Sequence, residues 1–174
     1  MRPMIAATLA AATLLSACTN PTGFGPGSGA AGAPGAQGVA GGIVPGSASD
    51  PASAAYFQQT VGDRVLFAVD QSTLSGEART ALTRQARWLQ QNPGFTAVIE
   101  GHADEQGTRE YNLALGARRA AAAQEFLVSQ GIASSRLRTV TYGKERPLEI
   151  CSSEACYAQN RRAVTVLAGG VGSV

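Results

Sequence analysis

The sequence predicts one α/β (α+β) sandwich with helices packed on one face of a four-stranded sheet. Three observations carry that expectation: short apolar runs alternate with helix-period segments, Gly/Pro punctuation separates them, and the alternation begins only at Val61. Of 174 residues, those up to about Ala55 are dominated by Gly, Ala, Pro and Ser. The remainder suits one ordinary domain rather than two.

The run Arg64-Val65-Leu66-Phe67-Ala68-Val69 predicts a first strand, closed by Asp70-Gln71-Ser72. Ser75 is placed to cap a helix reaching about Gln91, because Ala78, Leu82, Ala86 and Leu89 form one apolar stripe. Asn92-Pro93-Gly94 stops that helix, and Phe95 to Glu100 predicts a second strand. A polar loop from Gly101 to Gly107 leads into a long helix, about Thr108 to Gln130, with Gly131 as its C′ residue. Leu137 to Tyr142 and Arg162 to Leu167 predict the third and fourth strands. There are no internal repeats.

Ahead of the domain, residues 1–17 read as a targeting segment. Arg2 is a short positive region and Ile5 to Ala17 an apolar stretch, shorter than the ~20 residues a spanning helix needs. It ends in Leu15-Ser16-Ala17-Cys18, small residues before a cysteine that offers a thiol for acylation. This resembles the bacterial lipobox, and an ordinary secretory leader is the alternative. The resemblance implies lipidation at Cys18, and Thr19, where inner-membrane retention commonly uses Asp, points to the outer membrane. Residues 18–55 are then lipidated Cys and flexible Gly/Ala/Pro linker, which as a coil would span roughly 30–36 Å. The domain is expected over residues 56–170.

Formal net charge is +2, without the dense basic face that nucleic-acid binding requires. Cys151 and Cys156 sit five apart, and export to an oxidising compartment favours a small-loop disulfide. A metal pair is the alternative, but His102 is the single histidine of the chain, and neither a metal nor an organic cofactor is expected.

The chemistry concentrates in Gly101-His102-Ala103-Asp104-Glu105-Gln106-Gly107 and the helix behind it. On a helical wheel Leu115, Ala123, Phe126 and Leu127 share one side, and Asn112 and Arg119 fall in its middle, roughly 20° apart. A guanidinium on an apolar face is costly unless it meets an anion. Two readings stand open. Asp104 and Arg119 form a partly buried ion pair that pins helix to sheet, or the two together hold a zwitterion, its carboxylate on Arg119 and its ammonium on Asp104. The bracketing glycines and the strand-exit position favour a ligand.

The stretch Gly101 to Ala120, with Phe67-Ala68-Val69-Asp70-Gln71-Ser72, Tyr142-Gly143-Lys144-Glu145-Arg146-Pro147 and Asn160-Arg161-Arg162-Ala163-Val164, closely resembles the OmpA-like peptidoglycan-binding domain, and within it the lipoprotein branch. The resemblance covers about Val61 to Leu167. It implies a βαβαββ-type domain with a mixed sheet, which binds the diaminopimelate of peptidoglycan stem peptides without catalysis. The family's Asp and its Arg fifteen residues later map onto Asp104 and Arg119, and its Asn-x-x-Leu motif onto Asn112 and Leu115. Asp70 and Arg161 are implied as further rim contacts. Gly116 stands where many members have Ser, and Ala103 where many have Thr, so a side-chain contact from position 103 is lost. Members of the lipoprotein branch also bind the propeller protein TolB of the Tol system, which acts in division; Glu105, Tyr111 and Arg118 could serve that contact or be a solvated face. The implied location is the outer membrane, through a lipid anchor in its inner leaflet, with the domain in the periplasm.

The rival from another class is a peptidoglycan hydrolase with Glu100 and Asp104 as paired carboxylates. A guanidinium beside Asp104 would favour its ionised form and handicap it as an acid. A cell-wall anchor outside the Tol system is the alternative within the binding class.

Overall fold

A computed structural model of the chain describes residues 43–150 and 152–169. The Cys18 anchor site, the leader, most of the linker and Cys151, hence the Cys151–Cys156 pairing, lie outside the described residues.

The sheet has the strand order β1-β4-β2-β3, from β1 (Arg64–Leu66), β2 (Phe95–His102), β3 (Leu137–Gly143) and β4 (Arg162–Gly169). β4 runs antiparallel to both β1 and β2, whereas β2 and β3 are parallel, so the sheet is mixed. The two long helices, α2 (Gly76–Gln91) and α3 (Arg109–Ser129), cover one face. Val65, Ala97, Ile99 and Ala163 point into that layer and meet Leu82, Leu89, Ala120, Ala123 and Leu127.

Local chemistry sets the helix limits. The Ser75 hydroxyl accepts from Ala78 N at 3.1 Å, and the Thr108 hydroxyl from Tyr111 N at 3.2 Å, each satisfying an orphan donor of the first turn. At the far end of α3, Gly131 has φ +94°. Its amide donates to Val128 O, and Ile132 N donates to Leu127 O, the double closure of a Schellman motif. The Arg136 guanidinium reaches the carbonyls of Leu89, Asn92 and Phe95, placing a cation at the C-terminus of α2.

Three features differ from the periodicity reading. β1 stops at Leu66 rather than Val69, since the chain turns away there, although Phe67 N still donates to Arg161 O. A short helix, α4 (Glu154–Asn160), precedes β4. Structure also begins ahead of the composition boundary. Ser53 caps α1 (Ala54–Tyr56), which continues in wider π-type turns over Phe57–Gly62. Trp88 holds this segment: its indole N–H donates to Pro51 O at 2.7 Å, and its ring lies 4.9 Å from Phe57 and 5.1 Å from Phe95. A contact between residues so distant in the chain leaves no trace in local composition.

α3 can lie against β2 because two glycines face each other. A Cβ at Gly101 would stand 1.9 Å from Gly116 O, and a Cβ at Gly116 only 2.5 Å from Thr141 Oγ1 and 2.9 Å from Gly101 O. A side chain at position 116 would therefore need a wider spacing here. Gly101→Ala is expected to destabilise the domain by about 3 kcal/mol or more, since backbone rather than a movable side chain must yield. Urea unfolding followed by tryptophan fluorescence checks this, and a loss well under 1 kcal/mol would contradict the close approach.

Candidate functional site

A register break between Gly101 and His102 ends the parallel β2–β3 pairing and turns the chain out of the sheet. Ala103 N donates to Gly143 O at 2.8 Å, fixing the next residue, Asp104, at the mouth of the layer between sheet and α3. One turn into α3, the Asn112 amide nitrogen donates to Gln106 O at 2.7 Å and closes the 101–107 loop. Asn112 is 1% exposed, and its Oδ1 has no hydrogen-bond partner among the described residues.

Asp70 arrives from the other side, on the loop after β1. It has φ +56°, a left-handed conformation that Asp tolerates better than most residues. The Tyr111 phenol donates to its carboxylate. Asp70, Asp104, Gln106, Gly107, Tyr111, Asn112, Leu115 and Val69 line one cavity of about 310 Å³. Thus four of the six residues expected at a ligand site, Asp70, Asp104, Asn112 and Leu115, surround a single space. It is rich in oxygen acceptors and floored by apolar groups, with Val69 54% exposed at its edge.

The two arginines stand behind this cavity and differ from expectation. Arg119 is fully buried, and each guanidinium nitrogen donates to a main-chain carbonyl: Nε to Gln71 at 2.8 Å, Nη1 to His102 at 2.9 Å and Nη2 to Ala68 at 3.2 Å. Its charge sits 5.3 Å over the Phe67 ring. The expectation that Arg119 needs a carboxylate partner is corrected. Three carbonyl dipoles satisfy it, and the Asp104 and Asp70 charges stabilise it without a direct ion pair among those found. Burial lowers its pKa to about 10, offset in part by Asp104, so it stays protonated at neutral pH.

Asp104 pairs instead with Arg161, Nη1 to Oδ2 at 3.1 Å. Arg161 is itself only 3% exposed and is no rim residue. Its Nε donates to Phe67 O at 3.2 Å, and both terminal nitrogens also meet the Glu154 carboxylate. Burial opposes its charge, but its hydrogen bonds to Glu154 and Asp104 outweigh this and raise its pKa. Glu154 escaped the sequence reading, although its spacing of two helical turns before Arg161 was a usable signal. Tyr111, assigned to an outer face, holds Asp70 in place.

Glu100 does not line the cavity. It lies on the sheet face away from the helices, its carboxylate 3.6 Å from Nε2 of His102. His102 is buried, 2% exposed, its ring 5.5 Å from that of Tyr142. Neither ring nitrogen makes a well-formed hydrogen bond among the described residues, with an Arg146 main-chain group beside the ring. Burial, then the Arg162 and Arg146 charges, lowers its pKa to about 4.

A model of the OmpA family matches residues 66–161. A peptidoglycan-associated lipoprotein of Mesorhizobium japonicum is 58% identical over 130 residues, covering 75% of this chain and 74% of the relative. One from Agrobacterium fabrum is 48% identical over 166 residues, covering 95% of this chain and 87% of that one. The crystal structure of the peptidoglycan-associated lipoprotein from Burkholderia pseudomallei superimposes with a TM-score of 0.63 at 34% identity, over 68% of this chain and all of its own.

The buried ring gives a pH dependence whose sign follows from its lowered pKa. Above pH 6.5 the ring is neutral folded and unfolded; between 6.5 and about 4 the unfolded chain binds the proton first, so stability falls as pH falls. The loss should be on the order of 3 kcal/mol by the lower end. Urea titrations between those limits should show a shallower decline in His102→Gln than in wild type, and parallel declines would remove the ring as the cause.

Proposed function

The chain belongs to the OmpA family, in the branch of the peptidoglycan-associated lipoproteins, and on that footing we propose that it anchors the outer membrane to peptidoglycan without cutting it. The grip is on the free end of diaminopimelate in a stem peptide, a carbon bearing one ammonium and one carboxylate. The observation that carries this reading is the pair of carboxylates that line one cavity, Asp70 and Asp104, with two guanidinium groups directly behind.

An ammonium is a cation with three donors, and the Asp70 and Asp104 carboxylates line the space it would enter. The aliphatic stem of the ligand would rest on Leu115 and Val69. Its carboxylate is drawn toward Arg161 and Arg119, which give this end of the site its positive potential. Arg119 acts mainly by holding the loop that carries Asp70, because its nitrogens are engaged by Ala68, Gln71 and His102.

Hydrogen bonds to charged groups contribute ~1.5–3 kcal/mol each, and ordering a flexible stem peptide consumes part of this. One stem is thus held weakly, and tethering on both sides restores retention by raising effective concentration. Acylation at Cys18 supplies the membrane side in this reading, with the Gly/Ala/Pro linker as the reach. TolB of the Tol system would meet the exposed flank around Tyr111, Glu105 and Arg118, next to the cavity, so that the two partners compete. The Cys151–Cys156 disulfide would staple the loop before α4. The hydrolase alternative gains no support from Glu100, which lies against His102 rather than across the cavity from Asp104.

The test uses purified sacculi and two stem tripeptides, one ending in diaminopimelate and one in lysine, which lacks the second carboxylate. Wild type should pellet intact with sacculi, release no soluble fragments and prefer the diaminopimelate peptide. Asp104→Ala should weaken binding by about tenfold or more with an unchanged fold, because Arg161 keeps Glu154 as a partner. Full pelleting of a folded Asp104→Ala protein would overturn the site, and soluble muropeptides would overturn the non-catalytic reading.

A further inference from the structure

We propose that Glu154 is an internal substitute for the ligand's carboxylate, and that binding of the free end of the stem peptide requires it to swing off Arg161. The inference rests on the zwitterion reading above and adds a gate to it.

The two halves of the site stand in different states. The ammonium half is an accessible cavity lined by the Asp70 and Asp104 carboxylates. The cation half is occupied. Each Arg119 nitrogen is bound to the main chain, and releasing one would require the loop of residues 68–71 or the exit of β2 to move. Arg161 is different. Its Nε is bound to Phe67 O, but its outward nitrogens hold the Glu154 carboxylate in a two-pronged contact, with Nη1 shared between Glu154 and Asp104.

Asymmetric exposure makes that contact exchangeable. The Arg161 side chain is 4% exposed and the Glu154 side chain 66% exposed. Glu154 therefore reaches in from solvent to a guanidinium whose Nη1 also meets Asp104, a wall of the cavity. A side-chain rotation returns it to water, with no change in main chain. Exchanging one carboxylate for another leaves the buried cation paired throughout, which matters because an unpaired buried charge is expensive. Such a gate selects for ligand chemistry. A guest with ammonium and free carboxylate can displace Glu154, whereas one whose carboxylate is amidated can fill only the open half.

Calorimetry with the full-length protein tests this, using the diaminopimelate tripeptide, the same peptide with that terminal carboxylate amidated, and the lysine tripeptide, on wild type, Glu154→Gln and Glu154→Asp. Removing the competing charge should tighten the diaminopimelate peptide by about two- to fivefold in Glu154→Gln, the range in which an exposed ion pair competes. The other two peptides should change less than that, and Glu154→Asp, one carbon shorter, should fall between. Circular dichroism confirms that the variants are folded. If wild type prefers the diaminopimelate peptide but Glu154→Gln binds it equally or more weakly, the gate is wrong and the anchoring reading stands. If wild type shows no preference among the three peptides, the zwitterion reading fails and the gate with it. Equal tightening of all three in Glu154→Gln would also overturn the gate, since that is a general electrostatic effect.

Discussion

A fully buried guanidinium organises this domain. Arg119 sits on the face of α3 that meets the sheet, where an unsatisfied cation would be intolerable, and it is satisfied by carbonyls from two different strand exits. Ala68 and Gln71 belong to the loop after β1, and His102 ends β2. One side chain thus ties the first strand, the second strand and the long helix together at the end of the sheet where the cavity lies. It also flanks Asp70 on both sides and so sustains that residue's left-handed backbone. The acceptors in the cavity owe their convergence to this cation beneath them.

The close passage of α3 over β2 is the second requirement. With Gly101 facing Gly116 the helix comes near enough for Arg119 to reach the strand exit. A helix held further off would leave the guanidinium short of its carbonyls. Packing distance and polar satisfaction are therefore one problem, met by two residues without side chains and one with the largest cationic side chain available.

Much of this was legible in residue order. Ser75 and Gly131 announced helix ends through capping chemistry that acts within a few residues, and each lies where those rules place it. The apolar stripe of α2 and the strand runs followed from period. What stayed hidden was non-local. The wheel put Arg119 on an apolar face and demanded an anion, because carbonyls presented by a distant loop have no signature in sequence. Asp104 was matched to the arginine fifteen residues on, while its actual ion-pair partner, Arg161, lies beyond α3, β3 and α4. α1 was lost at the edge of an Ala-, Ser- and Pro-rich stretch whose composition suggests a linker, since the order of this segment depends on the distant Trp88, which holds Pro51 and packs on Phe57. α4 was too short for periodicity to detect.

The indole latch on Pro51 has a mechanical meaning for a chain of this family. Trp88, wedged between Phe57 and Phe95, fastens the turns of residues 43–53 to the back of α2. A load applied to those turns would meet aromatic packing there, away from the loops that shape the cavity.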